Sequence, residues 1–205
     1  MQVFVTDVIV GLPTTVRFAH TAPDLGPLTF IPTQGDPFTL SFGQSVERSI
    51  KSGTFSVDVD GIPGGAGQAD FTGVVDDRGK LSLYAVAFPG GLAGYLTRLW
   101  SSPSSISADS GYVRFLSGSG LAENVYIRDL GAPAGGVAEL CYFDLGTPTE
   151  YYHRAAGTFD IITARKGGGP DTTRITLAAP AGRKFTYVIV GDTKATMQAI
   201  AFPDP

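Results

Sequence analysis

The sequence is poor in the residues that carry most metal and redox chemistry. Its 205 residues include one cysteine and two histidines. A single thiol, Cys141, excludes an intrachain disulfide and a zinc site built from several cysteines. His20 and His153 are too few for a multi-histidine metal site. We therefore predict no cofactor.

Charge and long apolar runs are also scarce. Only 17% of the residues are charged, with 15 basic against 19 acidic and no basic run, so we predict no nucleic-acid partner. No run reaches the roughly 18 apolar residues of a transmembrane segment. The first residues, 1–12 (MQVFVTDVIVGL), lack a basic region and contain Asp7, which is unlike a secretory signal. We expect a cytosolic protein, or numbering that begins after a removed signal.

Apolar residues, glycine and proline are abundant. The chain is 43% hydrophobic and contains 27 Gly and 14 Pro, with the glycines and prolines between short apolar runs. Such a pattern is typical of many short strands joined by tight turns. In residues 54–60, Phe55, Val57 and Val59 alternate with polar residues, as a half-buried strand requires. The sequence therefore predicts an all-β fold.

Several segments recur along the chain. Residues 53–57 (GTFSV) return as 157–161 (GTFDI), and 80–86 (KLSLYAV) return as 184–190 (KFTYVIV), both at an offset of 104 (157 − 53). Residues 16–18 (VRF) return at an offset of 97 (113 − 16), so we predict a seven-residue insertion within 121–145. A period near 100 residues indicates duplication of a domain. We predict a first sandwich domain over 1–100, a serine-rich linker over 101–110 and a second domain over 111–205.

These repeated segments resemble domain of unknown function family 4397. The similarity lies in residues 16–24 (VRFAHTAPD), the 53–55 (GTF) strand and the late 187–191 (YVIVG) strand. The resemblance implies secreted or lipid-anchored envelope proteins of bacteria and archaea, with tandem immunoglobulin-like β-sandwiches and no established activity. The second copy departs from the pattern, because Ser117 replaces His20 and the Ala-Pro-Asp turn is missing.

Few residues form a candidate catalytic or metal site. There is no G-x-S-x-G motif, and we predict that His20 makes a hydrogen bond in a turn. Asp58, Asp60 and Asp70 flank a glycine-rich segment and are a weak calcium candidate, although turn formation explains them better. Residues 166–171 (KGGGPD) lack the ending and the following helix of a phosphate-binding loop, so they indicate a hairpin loop. We assign no catalytic residue and no metal ligand.

Two kinds of feature are candidates for binding. Trp100, the only tryptophan, and Tyr95 are ligand or interface aromatics, with Tyr151 and Tyr152 as further candidates. The N-terminal segment has no counterpart in the second copy and is apolar on both faces, which requires burial within its domain or against another molecule. Its candidate assembly residues are Val3, Phe4, Val5, Val8, Ile9 and Val10.

Three function classes follow from these features. The first is a non-catalytic extracellular or cell-surface structural protein that contacts itself or other envelope or matrix proteins, for example as a filament or envelope subunit that self-assembles through its N-terminal strand. The second is a carbohydrate- or peptide-binding adhesion module. The third is a hydrolase that depends on His20. We predict the first, keep the second as the alternative, and do not expect an enzyme.

Overall fold

All regular structure in the described part of the chain is β-strand. The computed structural model describes residues 13–62, 69–75, 80–87, 94–101, 106–118, 125–129, 138–143, 146–165, 172–191 and 195–204. Within these ranges there is no helix, so the predicted all-β class is confirmed. The described strands are β1 Pro13–His20, β2 Leu28–Pro32, β3 Phe38–Leu40, β4 Ser45–Lys51, β5 Gly53–Asp60, β6 Ala69–Val75, β7 Lys80–Ala87, β8 Gly94–Ser101, β9 Ser110–Ser117, β10 Val125–Asp129, β11 Ala138–Phe143, β12 Tyr152–Ala155, β13 Gly157–Arg165, β14 Thr172–Ala179, β15 Lys184–Val190 and β16 Gln198–Pro203.

The strands form four four-stranded sheets, two from each half of the chain. The first half contributes sheet A, in the order β4-β1-β7-β8, and sheet B, in the order β3-β2-β5-β6. The second half contributes sheet C, β12-β9-β15-β16, and sheet D, β11-β10-β13-β14. Every strand pair in these sheets joins two strands of the same half.

The two halves pair their strands in the same register. In the first half, Val16 of β1 lies opposite Leu81 of the parallel strand β7. In the second half, Val113 of β9 lies opposite Phe185 of the parallel strand β15. These positions keep the offsets of 97 and 104 that the sequence shows, so the repeated segments occupy equivalent places in the fold.

The inserted residues lie mainly between β10 and β11. Phe30 pairs with Phe38 in the first half, and Ile127 pairs with Cys141 in the second. The offset therefore rises from 97 (127 − 30) to 103 (141 − 38) across this one hairpin. Six of the seven extra residues are thus located inside the predicted range, in a connection between antiparallel strands, where added length costs little.

A glycine with positive φ opens the same strand in each half. Gly53 begins β5 with φ 130° and Gly157 begins β13 with φ 139°, a region that side chains with a Cβ rarely adopt. After Gly53, Phe55 and Val57 are fully buried, and Asp58 is exposed. A turn followed by a strand of alternating burial, as predicted, is therefore present in both halves.

Each half encloses its own apolar cluster between its two sheets. In the first half, the Phe18 ring lies edge-on to Phe30 and Phe55, with centroids 5.8 Å and 6.3 Å away. The buried members of this cluster are Val16, Phe18, Leu28, Phe30, Leu40, Ile50, Phe55, Val57, Val59, Phe71, Val75, Leu81, Leu83, Ala85 and Leu96. Those of the second half are Val113, Phe115, Phe159, Ile161, Leu177, Ala179, Tyr187, Ile189 and Met197. The architecture is therefore sandwich-like.

Two finer expectations are not confirmed. An immunoglobulin sandwich has antiparallel sheets, whereas sheets A and C each contain a parallel pair, β1 with β7 and β9 with β15. The immunoglobulin-like assignment is therefore not confirmed. Strand β8 extends through Ser101 and β9 begins at Ser110, so the first and last residues of the predicted linker belong to strands.

Candidate functional site

One face of sheet C carries a row of polar and aromatic side chains. The pairing places Tyr112 of β9 between His153 of β12 and Lys184 of β15. Paired residues in neighbouring strands project to the same face, so the three side chains lie side by side. The next row on that face contains Arg114 and Thr186, which also pair.

Tyr112 is the centre of the aromatic patch, which we define as Tyr112, Tyr151 and His153. The centroid of its ring lies 5.2 Å from that of His153 and 6.4 Å from that of Tyr151. Both tyrosines are half-buried and His153 is exposed. Two cations lie over the Tyr151 ring, Arg114 at 4.6 Å and Lys184 at 5.2 Å. The patch therefore combines accessible aromatic surface with adjacent positive charge.

A buried carboxylate holds Tyr151 in place. Asp204 follows β16, and its side chain is completely buried. Its two oxygens accept hydrogen bonds from the Tyr151 hydroxyl at 2.6 Å and from Thr186 Oγ1 at 2.8 and 2.9 Å. Arg114 Nη2 lies 3.4 Å from the same carboxylate, and Arg114 Nε donates to Thr186 Oγ1 at 2.8 Å. This network fixes the orientation of the Tyr151 ring.

The two halves pack together through equivalent surfaces of sheets A and C. The Tyr84 ring lies edge-on to Phe202, with centroids 5.5 Å apart, and half-buried Phe42 and Ile200 flank this contact. The fully enclosed members are Ala19, Tyr84, Val86 and Leu99 from the first half, and Leu116, Val188, Val190 and Phe202 from the second. The four residues from the second half occupy the positions that correspond to the four from the first half. The contact is therefore formed by the equivalent surface of each half.

Three polar atoms near this contact are buried and have no hydrogen-bond partner among the described residues. They are Arg17 Nη1, Ser82 Oγ and the Tyr84 hydroxyl. Arg17 and Ser82 are paired across β1 and β7, and Tyr84 is two residues further along the same face. Arg17 uses Nη2 in an ion pair with Glu47, whose side chain is half exposed. Buried polar groups of this kind usually bind water or an ion.

Charged groups from both halves act on Tyr84. Burial raises the pKa of the Tyr84 phenol to about 12, and the Asp204 carboxylate adds to the rise. Thr186, Arg114 and Arg17 oppose it. These groups therefore surround the Tyr84 hydroxyl, which stays protonated at neutral pH.

His20 makes turn hydrogen bonds, as the sequence predicts. Its Nδ1 accepts a hydrogen bond from the Ala22 backbone N–H at 3.3 Å, so Nε2 carries the proton and donates to the Gly26 carbonyl oxygen at 2.9 Å. The ring is completely buried. Burial lowers the pKa of His20, and the bond to Gly26 opposes that shift. With both nitrogens occupied, this histidine is not placed to act as a general base.

The predicted calcium candidates do not form a site in the described part of the chain. Asp58 and Asp60 are both exposed on β5, and no group of three or more His, Cys, Asp or Glu suited to a metal is present in the described ranges. The side chain of Asp70 lies outside the described residues. Residues 166–171 also lie outside them, between the antiparallel strands β13 and β14.

The side chains of the other predicted binding residues lie largely outside the described part of the chain. Tyr95 and Trp100 belong to β8, where their backbones pair with Val86 and Leu81, but their side chains lie outside the described residues. The assembly segment that includes Val3, Phe4, Val5, Val8, Ile9 and Val10 lies wholly outside them. Among the described residues, no helix has the length and apolar character of a membrane span.

Sequence reasoning missed Tyr112, Arg114 and Asp204. One signal was present, because the repeated V-R-F segment places Arg17 and Arg114 at the same strand position. An arginine between two inward-facing apolar residues is expected to point to solvent. Both arginines are instead buried. Their burial results from the packing of sheet A on sheet C, which the sequence of one half does not predict.

Comparison with known proteins adds little to this description. No family model matches the chain, and no curated protein matches it. The carbohydrate-binding module CBMbc (family CBM26) of Eubacterium rectale Amy13K, solved in complex with maltoheptaose, is similar over 95% of this chain and 98% of that chain, with 12% identity and a TM-score of 0.30. A likeness at this level decides neither the fold nor the ligand.

Proposed function

We propose that this chain is a non-catalytic binding module that binds carbohydrate at the aromatic patch. The observation that carries the proposal is the cluster of Tyr112, Tyr151 and His153 on one face of sheet C, with ring centroids 5.2 and 6.4 Å apart. The residues come from β9, β12 and the segment preceding β12. Sheet pairing places Tyr112 beside His153, and the hydrogen bond to Asp204 holds Tyr151 next to them.

The chemistry of the aromatic patch suits a sugar ring. A pyranose presents weakly polarised C–H groups on its faces and hydroxyl groups around its edge, so it packs on aromatic rings and hydrogen-bonds to polar side chains beside them. Tyr112 and His153 offer ring surface, while Lys184 offers a donor. Burial lowers the pKa of Lys184, Arg114 acts in the same direction and Asp204 opposes it. This partly desolvated ammonium loses less hydration when a ligand covers it.

We also infer that the two halves are tandem sandwich domains in an extracellular or cell-surface protein. Their separate apolar clusters support the two domains. The location rests on the resemblance to domain of unknown function family 4397, and a surface location would expose the aromatic patch to glycans.

Removal of the aromatic patch tests the proposal. We expect the double variant Tyr112→Ala, His153→Ala to lose binding to glycans that the native chain retains on a glycan array, with affinity reduced about tenfold or more because truncated interface aromatics typically cost above 1 kcal/mol. Isothermal titration with the best glycan measures the change.

The first half supplies a matched control. Thr15 and Ser49 are paired across β1 and β4 as Tyr112 and His153 are across β9 and β12, so the equivalent position in the first half carries two non-aromatic residues. The variant Thr15→Ala, Ser49→Ala is expected to bind as the native chain does. Unchanged binding by the patch variant would refute the proposal, and loss only in Trp100→Ala would move the site to Trp100.

A further inference from the structure

The three rings of the aromatic patch lie close together but in different planes. The plane of Tyr112 makes an angle of 86° with that of Tyr151 and 58° with that of His153. All three residues are half-buried or exposed, so a ligand meets more than one of these planes. A flat object can therefore lie face-on against one ring, but not against Tyr112 together with either neighbour.

The orientation of the Tyr151 ring is restrained about both of its side-chain torsions. A change of χ1 would carry the hydroxyl away from Asp204, which accepts its hydrogen bond at 2.6 Å. A change of χ2 would turn the ring face away from the guanidinium carbon of Arg114 and the ammonium nitrogen of Lys184, which lie 4.6 and 5.2 Å from the ring centroid. Cations are attracted to the face of an aromatic ring and not to its edge. The fold itself therefore holds the angle between Tyr151 and Tyr112.

Asp204 is a rigid anchor for this ring because it is itself held at several points. Its side chain is completely buried. Its carboxylate accepts hydrogen bonds from Thr186 Oγ1 at 2.8 and 2.9 Å and lies 3.4 Å from Arg114 Nη2. Its backbone N–H donates to the Lys184 carbonyl oxygen at 2.9 Å. A buried carboxylate with these partners cannot follow a moving tyrosine without losing them.

The first half has a serine at the position equivalent to Asp204. Lys80 begins β7 and pairs with Ser101. Lys184 likewise begins β15, and its carbonyl oxygen accepts from the Asp204 N–H. A serine side chain is shorter than that of aspartate and carries no charge. The chain itself thus indicates a substitution that removes the anchor, Asp204→Ser.

The arrangement of the rings decides which form of carbohydrate fits the aromatic patch. A crystalline polysaccharide presents the sugar rings of neighbouring chains in one plane, so it packs best on coplanar aromatic rings. A single chain in solution is accessible from all sides, and its successive sugar rings turn about the glycosidic bonds. It can therefore contact aromatic rings that lie in two planes. The restrained Tyr151 ring lowers the ordering cost of that contact.

We propose that the aromatic patch binds single glycan chains in solution and not the face of a crystalline polysaccharide, with Asp204 as the positioning residue that keeps the Tyr151 ring across that of Tyr112. The inference rests on the proposed carbohydrate binding and adds the form of the ligand. It also gives Asp204 a role in affinity besides its role in the fold.

Matched soluble and crystalline ligands test the form of the ligand. Isothermal titration measures binding to cellohexaose, chitohexaose and the best soluble glycan from the array, and depletion from solution measures binding to microcrystalline cellulose and crystalline chitin. We expect a soluble glycan to bind and neither powder to deplete the chain. Depletion by either powder would overturn this inference and leave carbohydrate binding standing. Binding to none of these ligands would refute the proposed function itself.

Removal of the anchor tests the role of Asp204. We expect Asp204→Ser to weaken binding of the best soluble glycan about twofold to tenfold, because the Tyr151 ring must then be ordered at the moment of binding. In the background of Tyr151→Phe, which lacks the hydroxyl that Asp204 holds, Asp204→Ser should cause no further loss of affinity. A purely structural role would lower Tm without this dependence on Tyr151. Native affinity in Asp204→Ser, or an equal loss in both backgrounds, would overturn the positioning role.

Another tyrosine of the second half provides the matched control. Tyr187→Phe also removes a hydroxyl, one that donates to the Ala178 carbonyl oxygen at 2.5 Å, but its ring lies in the apolar cluster of the second half. We expect this variant to lower Tm and keep the native affinity, whereas Tyr151→Phe should lower the affinity. If Asp204→Ser does not fold, Tyr151→Phe decides, since native affinity in that variant would refute the positioning role.

Discussion

At the scale of single residues, His20 shows how burial changes the chemistry of a side chain. Both ring nitrogens are used within one turn, by the Ala22 N–H and the Gly26 carbonyl oxygen. A neutral ring satisfies both bonds, whereas a protonated ring loses its acceptor at Nδ1. Burial lowers the pKa of His20 from its ordinary value of 6.5, against the opposing effect of the Gly26 bond, and the turn depends on the neutral form.

We expect His20 to make the native state less stable in mild acid. The unfolded chain takes up a proton near pH 6.5 and the folded chain does so only at lower pH, so stability falls as the pH drops from 6.5 to the folded pKa. The loss approaches about 1.4 kcal/mol per pH unit over that window. Urea unfolding at pH 7.5 and 5.5 measures it for the native chain and for His20→Gln, in which the loss should disappear.

His153 is the control for this pH effect. It is exposed on β12, so His153→Gln should keep the pH dependence of the native chain. An equal loss of stability in His20→Gln and the native chain would show that another group titrates.

The sequence predicts the hydrogen bonds of His20 but not the surroundings of Tyr84. His20 is followed by Ala-Pro-Asp, and this local turn chemistry is readable along the chain. Tyr84 lies in an apolar strand whose outer face is buried only by sheet C. The charged groups that act on it, Arg114 and Asp204, come from the other half, and no local sequence pattern predicts that they lie near it.

At the scale of elements, the alternation of apolar and polar residues predicts which face of a strand is buried in its own domain. It does not predict whether the opposite face is also buried. Phe55, Val57 and Val59 of β5 are buried as predicted, because a period of two places them on one face. In β7, residues of both faces are buried, from Leu81 to Ala87. Such a strand must lie between two packed layers, and the sequence does not say which layer covers the second face.

The N-terminal segment, which lies outside the described residues, is also apolar on both faces, and its sequence does not say what covers the second face. As the rival to carbohydrate binding, self-assembly would add residues 1–10 as a strand to another molecule. Deletion of these residues should then leave folded domains and abolish large assemblies, as seen by size measurement at several concentrations and by electron microscopy for fibres. Loss of folding after the deletion would show instead that the segment completes its own domain.

At the scale of the whole molecule, the contact between sheets A and C couples the two halves. Gly118 follows β9 at this contact, and a Cβ there would lie 2.4 Å from Val188 Cγ1 and 3.4 Å from Thr21 Oγ1. We expect Gly118→Ala to displace Val188 from the contact and to cost about 1 to 3 kcal/mol. Scanning calorimetry should show one transition for the native chain and a lower, broader or divided one for the variant.

A second glycine provides the control for the effect of an added methyl group on unfolding. A Cβ on Gly26 would meet no atom within 4 Å, so Gly26→Ala should unfold as the native chain does. Two separate transitions in the native chain would mean that the halves unfold independently and that their contact contributes little.

The meeting of equivalent surfaces has a consequence for the history of the chain. A surface that is complementary to its own copy is what a twofold-symmetric homodimer presents. Covalent fusion of such a pair preserves the symmetric contact. It also allows a substitution in one copy without the same substitution in the other. Fusion permits the differences between the copies: Asp204 in one and Ser101 in the other, and Tyr112 with His153 in one where the other has Thr15 with Ser49.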